Sequence, residues 1–185
     1  MKIGRFAVMA LVIACAACSQ VDESKIATKG GVGDERMNMQ EAAERADSIL
    51  DATVENIKPA VKWVHGETSV GSCDLSRRRA VITVISEQRR GGFLGIVERG
   101  WERAGFRRVG VNASVDSPAT YFETPDGFRV RLLIGGGGQA FFEVATPCVE
   151  RADVQPPPTH QGSQAVGTNI PRPNIRSAFW SAGAP

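Results

Sequence analysis

Residues 119–148 read ATYFETPDGFRVRLLIGGGGQAFFEVATPC, and the two breaks in this stretch decide the fold. Three runs of β-branched, aromatic and aliphatic residues, 119–124, 128–134 and 140–146, are separated by Pro125-Asp126-Gly127 and by the glycines at 135–138. Both breaks have turn chemistry, because proline presets φ and glycine enters the left-handed region freely. Connections this short join antiparallel neighbours, since a parallel pair needs a crossover of about a dozen residues or more. Phe128, Val130 and Leu132 alternate with Arg129 and Arg131, the pattern of a sheet with one buried and one wet face.

Upstream, residues 107–114 continue the period of two, with Val111 and Ala113 expected on the buried face. Residues 80–86, AVITVIS, are β-branched enough to predict a central strand, and 62–67 a short one. Between them and 107–114, Phe93, Val97, Trp101 and Ala104 recur at helical spacing, so 88–105 is expected as a helix stopped by Gly105. Gly95 and Gly100 each weaken that helix by about 1 kcal/mol relative to alanine.

The first periodic element opens at Asn38, where Asn38 and Glu41 have capping-box spacing. Ala43, Ala46, Leu50, Val54 and Ile57 then form an apolar stripe, and Lys58-Pro59 ends the helix. Glu41, Glu44, Asp47, Asp51 and Glu55 on the other side read as its solvated face. The whole predicts an α+β, two-layer domain over residues 38–150: a mainly antiparallel sheet covered by the N-terminal amphipathic helix and one crossover helix. Residues 151–185 begin with Val154-Gln155-Pro156-Pro157-Pro158, are rich in Pro, Gly, Ser, Asn and Gln, and are expected to lack fixed structure. Ile175 to Trp180, IRSAFW, is the exception, suited to docking on the domain or to serving a partner.

At the other end, Lys2 and Arg5 precede an apolar run over residues 6–14, the form of an export signal. The run is too short for a bilayer core, which needs roughly twenty residues. Ala14, Ala16 and Ala17 precede Cys15 and Cys18 in a way that resembles the lipobox of bacterial lipoproteins. That resemblance implies a diacylglycerol thioether on a cysteine that becomes the new N-terminus. Cys18, followed by polar Ser19 and Gln20, is the favoured site; Cys15, preceded by Val12-Ile13-Ala14, is the alternative, and a plain signal cut nearby stays open. Residues 1–17 are then signal peptide and 18–37 a flexible tether, with Gly30, Gly31 and Gly33 in it. Two acyl chains, at about 0.8 kcal/mol per buried CH₂, would hold the chain to the extracytoplasmic side of the cell membrane. Cleavage removes Lys2 and Arg5 and no acid, taking the formal net charge from +2 to zero.

With Cys18 acylated, Cys73 and Cys148 remain, and an exported domain sits where disulfides persist. Parity and compartment pair them; closing a loop of about 75 residues is worth roughly 4.5 kcal/mol in the chain-entropy account. The whole chain resembles small lipoproteins of Gram-positive, actinobacterial type. The resemblance rests on the lipobox, the helix, the cysteine before AVITVISEQRRG, the hairpins of TPDGFRVRLLIGGGGQAFFEVATPC and the proline-rich tail. It implies anchorage in the envelope and brings no known activity.

The residues offer little catalytic chemistry. His160 lies in the tail, leaving His65 as the histidine near a core, and no nucleophile elbow accompanies it. Glu87, Glu123 and Glu143 are single acids on separate segments and do not make an acid/base pair. Cys15 and Cys18 have no nearby ligands to complete a metal shell.

Charge says more, because residues 73–108 hold nine arginines against Asp74, Glu87, Glu98 and Glu102. Arg77, Arg78, Arg79, Arg89 and Arg90 are therefore candidate contacts to anionic lipid or an anionic envelope polymer, at about 1 kcal/mol per basic residue near a lipid surface. The stretch from Ser86 to Gly92 has a second reading, as an anion site built from helix-start amides and guanidinium forks. Nucleic acid is not expected as a partner of a neutral exported chain. The sequence reading is a lipid-anchored binding or interaction module without catalysis and with no cofactor beyond the lipid, its oligomeric state open. The alternatives are an exported hydrolase, in which His65 meets a nucleophile, and a small-ligand carrier with an apolar cavity between helices and sheet.

Overall fold

The computed structural model describes residues 36–158 and 169–185. The expected export leader, Cys15, Cys18, nearly all of the expected tether and His160 lie outside the described residues. The elements run α1 (Met39–Glu55), β1 (Trp63–His65), β2 (Ser69–Val70), β3 (Leu75–Val81), α2 (Glu87–Arg103), β4 (Arg107–Asn112), β5 (Ala119–Glu123), β6 (Arg129–Ile134) and β7 (Ala140–Ala145). Their strands form one antiparallel sheet in the order β1-β3-β7-β6-β5-β4, with β2 also paired to β3. The fold is α+β, as the turn chemistry requires: β5, β6 and β7 are a meander, with Glu123 opposite Arg129 and Ile134 opposite Ala140.

Both helices lie on one face of the sheet. The Asn38 side chain accepts from the Gln40 and Glu41 amides while Glu41 returns a bond to the Asn38 amide, a complete capping box. Ala42, Ala46, Ile49, Leu50 and Val54 of α1 and Phe93, Val97 and Trp101 of α2 are buried over Phe122, Val130, Leu132, Phe142 and Val144. Trp101 Nε1 donates to Thr53 Oγ1 at 2.9 Å and so ties α2 to α1. Cys73 and Cys148 are joined, fastening the chain before β3 to the chain after β7, beside a 2.7 Å bond from the Val149 amide to the Cys73 carbonyl.

Four expectations change. The strand expected at 80–86 is instead Leu75–Val81, so AVITVIS contributes only Ala80 and Val81 to it. The arginines at 77–79 look like a solvated stretch in the sequence, but acids on α1 for Arg77 and Arg79 and Glu143 of β7 for Arg78 let them enter a strand. Beyond Val81 the chain stays extended and bonds elsewhere: the Ile82 amide to the Lys62 carbonyl and the Val84 amide to the Ile175 carbonyl, each at 2.8 Å. β2 was not expected at all.

Val111 and Ala113 are exposed, not buried. β4 is the sheet's edge, where Val111 stays exposed although it stands opposite buried Thr120, and a bulge between Arg108 and Gly110 interrupts its register with β5. Such a bulge also blunts the edge against pairing with another chain.

The tail is not structureless where it is described. The Gln155 amide donates to Gln40 Oε1 at 2.8 Å, and Thr83 and Ile175 form a parallel bridge. Trp180 is buried, with its ring edge-to-face on Phe93 at 5.2 Å and Nε1 donating to the Pro59 carbonyl. IRSAFW therefore docks on the domain; a large aromatic with one polar atom finds both an apolar slot and an acceptor there.

Candidate functional site

The five arginines expected on one basic surface do not share one. Side chains alternate across a strand, so on β3 Arg77 and Arg79 point towards α1 while Arg78 points the other way. Arg77 and Arg79 are 2 % and 0 % exposed, which removes them as lipid or polymer contacts. Asp47 of α1, on the face expected to be solvated, is also buried and sits between them. Arg79 Nη2 donates to Asp47 Oδ1 at 2.8 Å and to Asp51 Oδ1 at 3.3 Å. Arg77 Nε lies 3.2 Å from Asp47 Oδ2 as an ion pair without hydrogen-bond alignment, and its Nη atoms reach Thr68 Oγ1 and the Gln155 carbonyl at 2.6 Å each. Burial, offset by Asp47 and reinforced by Arg79, holds the Arg77 guanidinium below its ordinary pKa. These two arginines fix α1 to the sheet; they are internal struts.

Arg78 belongs to the opposite face, which neither helix covers. Strand register places Arg78, Glu143, Arg131 and Tyr121 in a row across β3, β7, β6 and β5. A second row runs Arg129, Glu123 and Arg107 across β6, β5 and β4. Arg78 Nε is 3.2 Å from Glu143, and Arg131 bonds the same carboxylate; Arg107 is 3.3 Å from Glu123. Burial would raise the Glu143 carboxyl, but hydrogen bonds and charge from Arg78 and Arg131 overrule it and hold the group below its ordinary 4.5. Arg107 and Arg129 extend into solvent, with side chains 70 % and 79 % exposed. A depression of about 480 Å³ runs over this face, lined by Val109, Tyr121, Glu123, Arg129, Arg131 and Glu143 among others. Val109 stands exposed along its edge strand.

Arg89 and Arg90 sit apart from this face, on the first turn of α2. Arg89 lies over the Phe179 ring at 4.3 Å, and Arg90 packs on the glycine turn between β6 and β7.

His65, at the edge of the sheet on β1, meets no nucleophile among the described residues. It is buried, its ring edge-to-face with Trp63 at 5.1 Å, and neither nitrogen has a well-aligned hydrogen-bond partner among the described residues. Burial and then the charge of Arg79 push its pKa down to about 4; Asp47, the backbone of Pro158 and Asp51 pull weakly the other way. The folded value lies below the ordinary 6.5, so between those limits the unfolded chain binds a proton that the folded chain refuses. Stability is therefore expected to fall as pH drops from 6.5 towards 4, by up to about 1.4 kcal/mol per pH unit. Urea unfolding of the wild type and of His65→Phe at pH 7, 6 and 5 checks this. The wild type should lose stability across the series and the variant should not.

A groove of about 260 Å³ between α1 and α2 is lined by Ile49, Ala52, Ile96, Trp101, Ala104 and Phe106 among others, and it opens to solvent. Between helices and sheet, where a carrier was expected to enclose its ligand, Phe93, Phe122, Phe142 and Trp101 are packed together. Among the described residues no group of His, Cys, Asp or Glu gathers to hold a metal ion, and no helix is long and apolar enough to cross a membrane. Comparison with known protein families, with curated proteins and with solved structures returned no match to this chain.

Proposed function

We propose that this chain is a lipid-anchored, extracytoplasmic binding module whose recognition surface is the uncovered face of the sheet, and that its partner is an anionic envelope polymer. The observation that carries the reading is the set of four arginines, Arg78, Arg107, Arg129 and Arg131, gathered around Tyr121 with only Glu123 and Glu143 to balance them. Ladder pairs hold the inner guanidiniums in place, while Arg107 and Arg129 keep most of their surface for a ligand. A planar guanidinium presents a fork to carboxylate or phosphate, and Tyr121 offers a flat ring with one polar atom. The leader and the disulfide support the compartment, which intact mass spectrometry of the membrane fraction tests by locating the lipid on Cys18 or Cys15.

Binding of the full chain in detergent to poly(glycerol phosphate), with neutral dextran as control, tests the surface. Arg107→Gln with Arg129→Gln should weaken binding about tenfold and flatten its salt dependence. Thermal stability should barely move, because exposed ion pairs contribute little. Unchanged affinity in this double variant refutes the assigned face.

A further inference from the structure

The turn between β6 and β7 passes through Gly137 and Gly138 at φ of 75° and 80°, a conformation glycine adopts without a side-chain clash. At Gly138 a side chain is excluded by packing as well. A Cβ there would lie 2.7 Å from Arg90 Nη2 and 3.0 Å from both Arg90 Nε and the Ile85 carbonyl oxygen. Beside it, a Cβ at Gly137 would be 3.9 Å from Arg172 Nη1. Two guanidiniums from remote parts of the chain, the first turn of α2 and the returning tail, thus meet adjacent residues of one turn. Gln139 holds the tail segment there, its Nε2 donating to the Pro171 carbonyl at 2.9 Å.

Among the described residues neither guanidinium is in an ion pair. The ion pairs of the described residues engage Arg45, Arg77, Arg78, Arg79, Arg107, Arg108, Arg129 and Arg131, and neither Arg90 nor Arg172. Arg90 Nε is shielded from solvent and has no acceptor. Ser86, the N-cap residue of α2, is 3 % exposed; its Oγ has no partner and does not cap the helix. The first turn of α2, carrying Arg90 and its partnerless Nε, meets the same turn as Arg172, and Ser86 with its partnerless Oγ stands at the start of that helix four residues before Arg90; each of these is unfavourable or unsatisfied as it stands. A tetrahedral oxyanion answers all of them, since it brings negative charge and several acceptors.

We propose that Arg90 and Arg172, beside the turn at Gly137 and Gly138 and the N-terminus of α2, form a binding site for a phosphate group, either inorganic phosphate or the phosphate of a lipid headgroup. Arg89 takes no part, being stacked on Phe179. The site is separate from the arginine rows on the sheet face and does not depend on their role.

Calorimetric titration of the full chain in detergent with inorganic phosphate, against chloride at equal ionic strength, tests it. Saturable binding of phosphate is expected, weakened about tenfold in Arg90→Gln and in Arg172→Gln and unchanged in Arg103→Gln, at the far end of α2 and in neither proposed site. Arg172 is exposed, so its variant keeps the test valid if Arg90→Gln fails to fold. Co-sedimentation with phosphatidylcholine vesicles, with and without phosphatidic acid, separates the sources. Capture by phosphatidic acid that both variants abolish assigns a headgroup, and titratable phosphate alone assigns the free ion; either supports the site. Phosphate indistinguishable from chloride together with no variant-sensitive vesicle binding overturns it, as does binding that Arg172→Gln leaves intact.

Discussion

Asp47→Ala should destabilise the domain by about 3–5 kcal/mol, read as a lower urea midpoint at unchanged m-value. The cause is not the removed carboxylate but what it leaves. Arg79 has no exposed surface and Arg77 almost none, so neither guanidinium can turn to water without undocking α1 from β3. Asp51 bonds Arg79 at 3.3 Å and can offset part of the loss for that residue, which leaves Arg77 as the larger problem. A second variant separates the explanations. Replacing Asp47, Arg77 and Arg79 together by apolar residues of similar volume should restore much of the stability, because the expense lies in the unpaired charge and not in the missing bond. If Asp47→Ala costs less than about 1 kcal/mol, the arginines have reached solvent and the strut assignment fails.

That same cluster marks the limit of what the sequence discloses. The meander over 119–146 is legible because its turns are local: Pro125-Asp126-Gly127 and the glycines at 135–138 fix both connection length and direction. The α1 boundary is legible for the same reason, since Asn38 and Glu41 satisfy each other within one turn. Arg77 and Arg79 are different. Their burial depends on Asp47, a residue that periodicity alone places on the polar side of a helix, and only the docking of α1 on β3 brings them together. Hydrophobic patterning therefore misplaced the strand, favouring AVITVIS over LSRRRAV. The sheet-face arginines lie between these cases. Once the turns set the register, Tyr121 falls opposite Arg131 and Glu123 opposite Arg129, so those pairs follow from residues 119–134. That neither α1 nor α2 covers this face does not follow, because the two helices could have been divided between the two sides. Arg172 beside Gly137 is beyond reach altogether, since it needs the path of a tail with no periodic signal of its own.

Trp180→Ala is the second large effect expected, a loss of about 3–5 kcal/mol. Only five residues follow Trp180 in the sequence, a place where truncation is ordinarily tolerated. Here the side chain is 1 % exposed and closes the core beside Phe93, while Nε1 satisfies the Pro59 carbonyl ahead of β1. Backbone contacts depend on its seating: the Ser86 amide donates to the Trp180 carbonyl at 2.9 Å, and Ser181 Oγ donates to the Val84 carbonyl at 2.7 Å. These bonds hold the stretch after β3 that leads into α2, so the loss should spread beyond the tail itself. Trp180→Phe keeps most of the apolar surface and loses the N–H; it should fall between wild type and alanine, with the Pro59 carbonyl left unpaired accounting for about 1–3 kcal/mol. Hydrogen exchange resolves where the damage goes. Faster exchange at Val84, Ile175 and Ser86 in Trp180→Ala, with the Tyr121 and Arg131 amides of the meander accelerated less than the global loss would require, would show the tail acting as a local clamp. Uniform acceleration would show it to be an integral part of the single core. An unchanged unfolding midpoint would mean that the tail only rests on the surface.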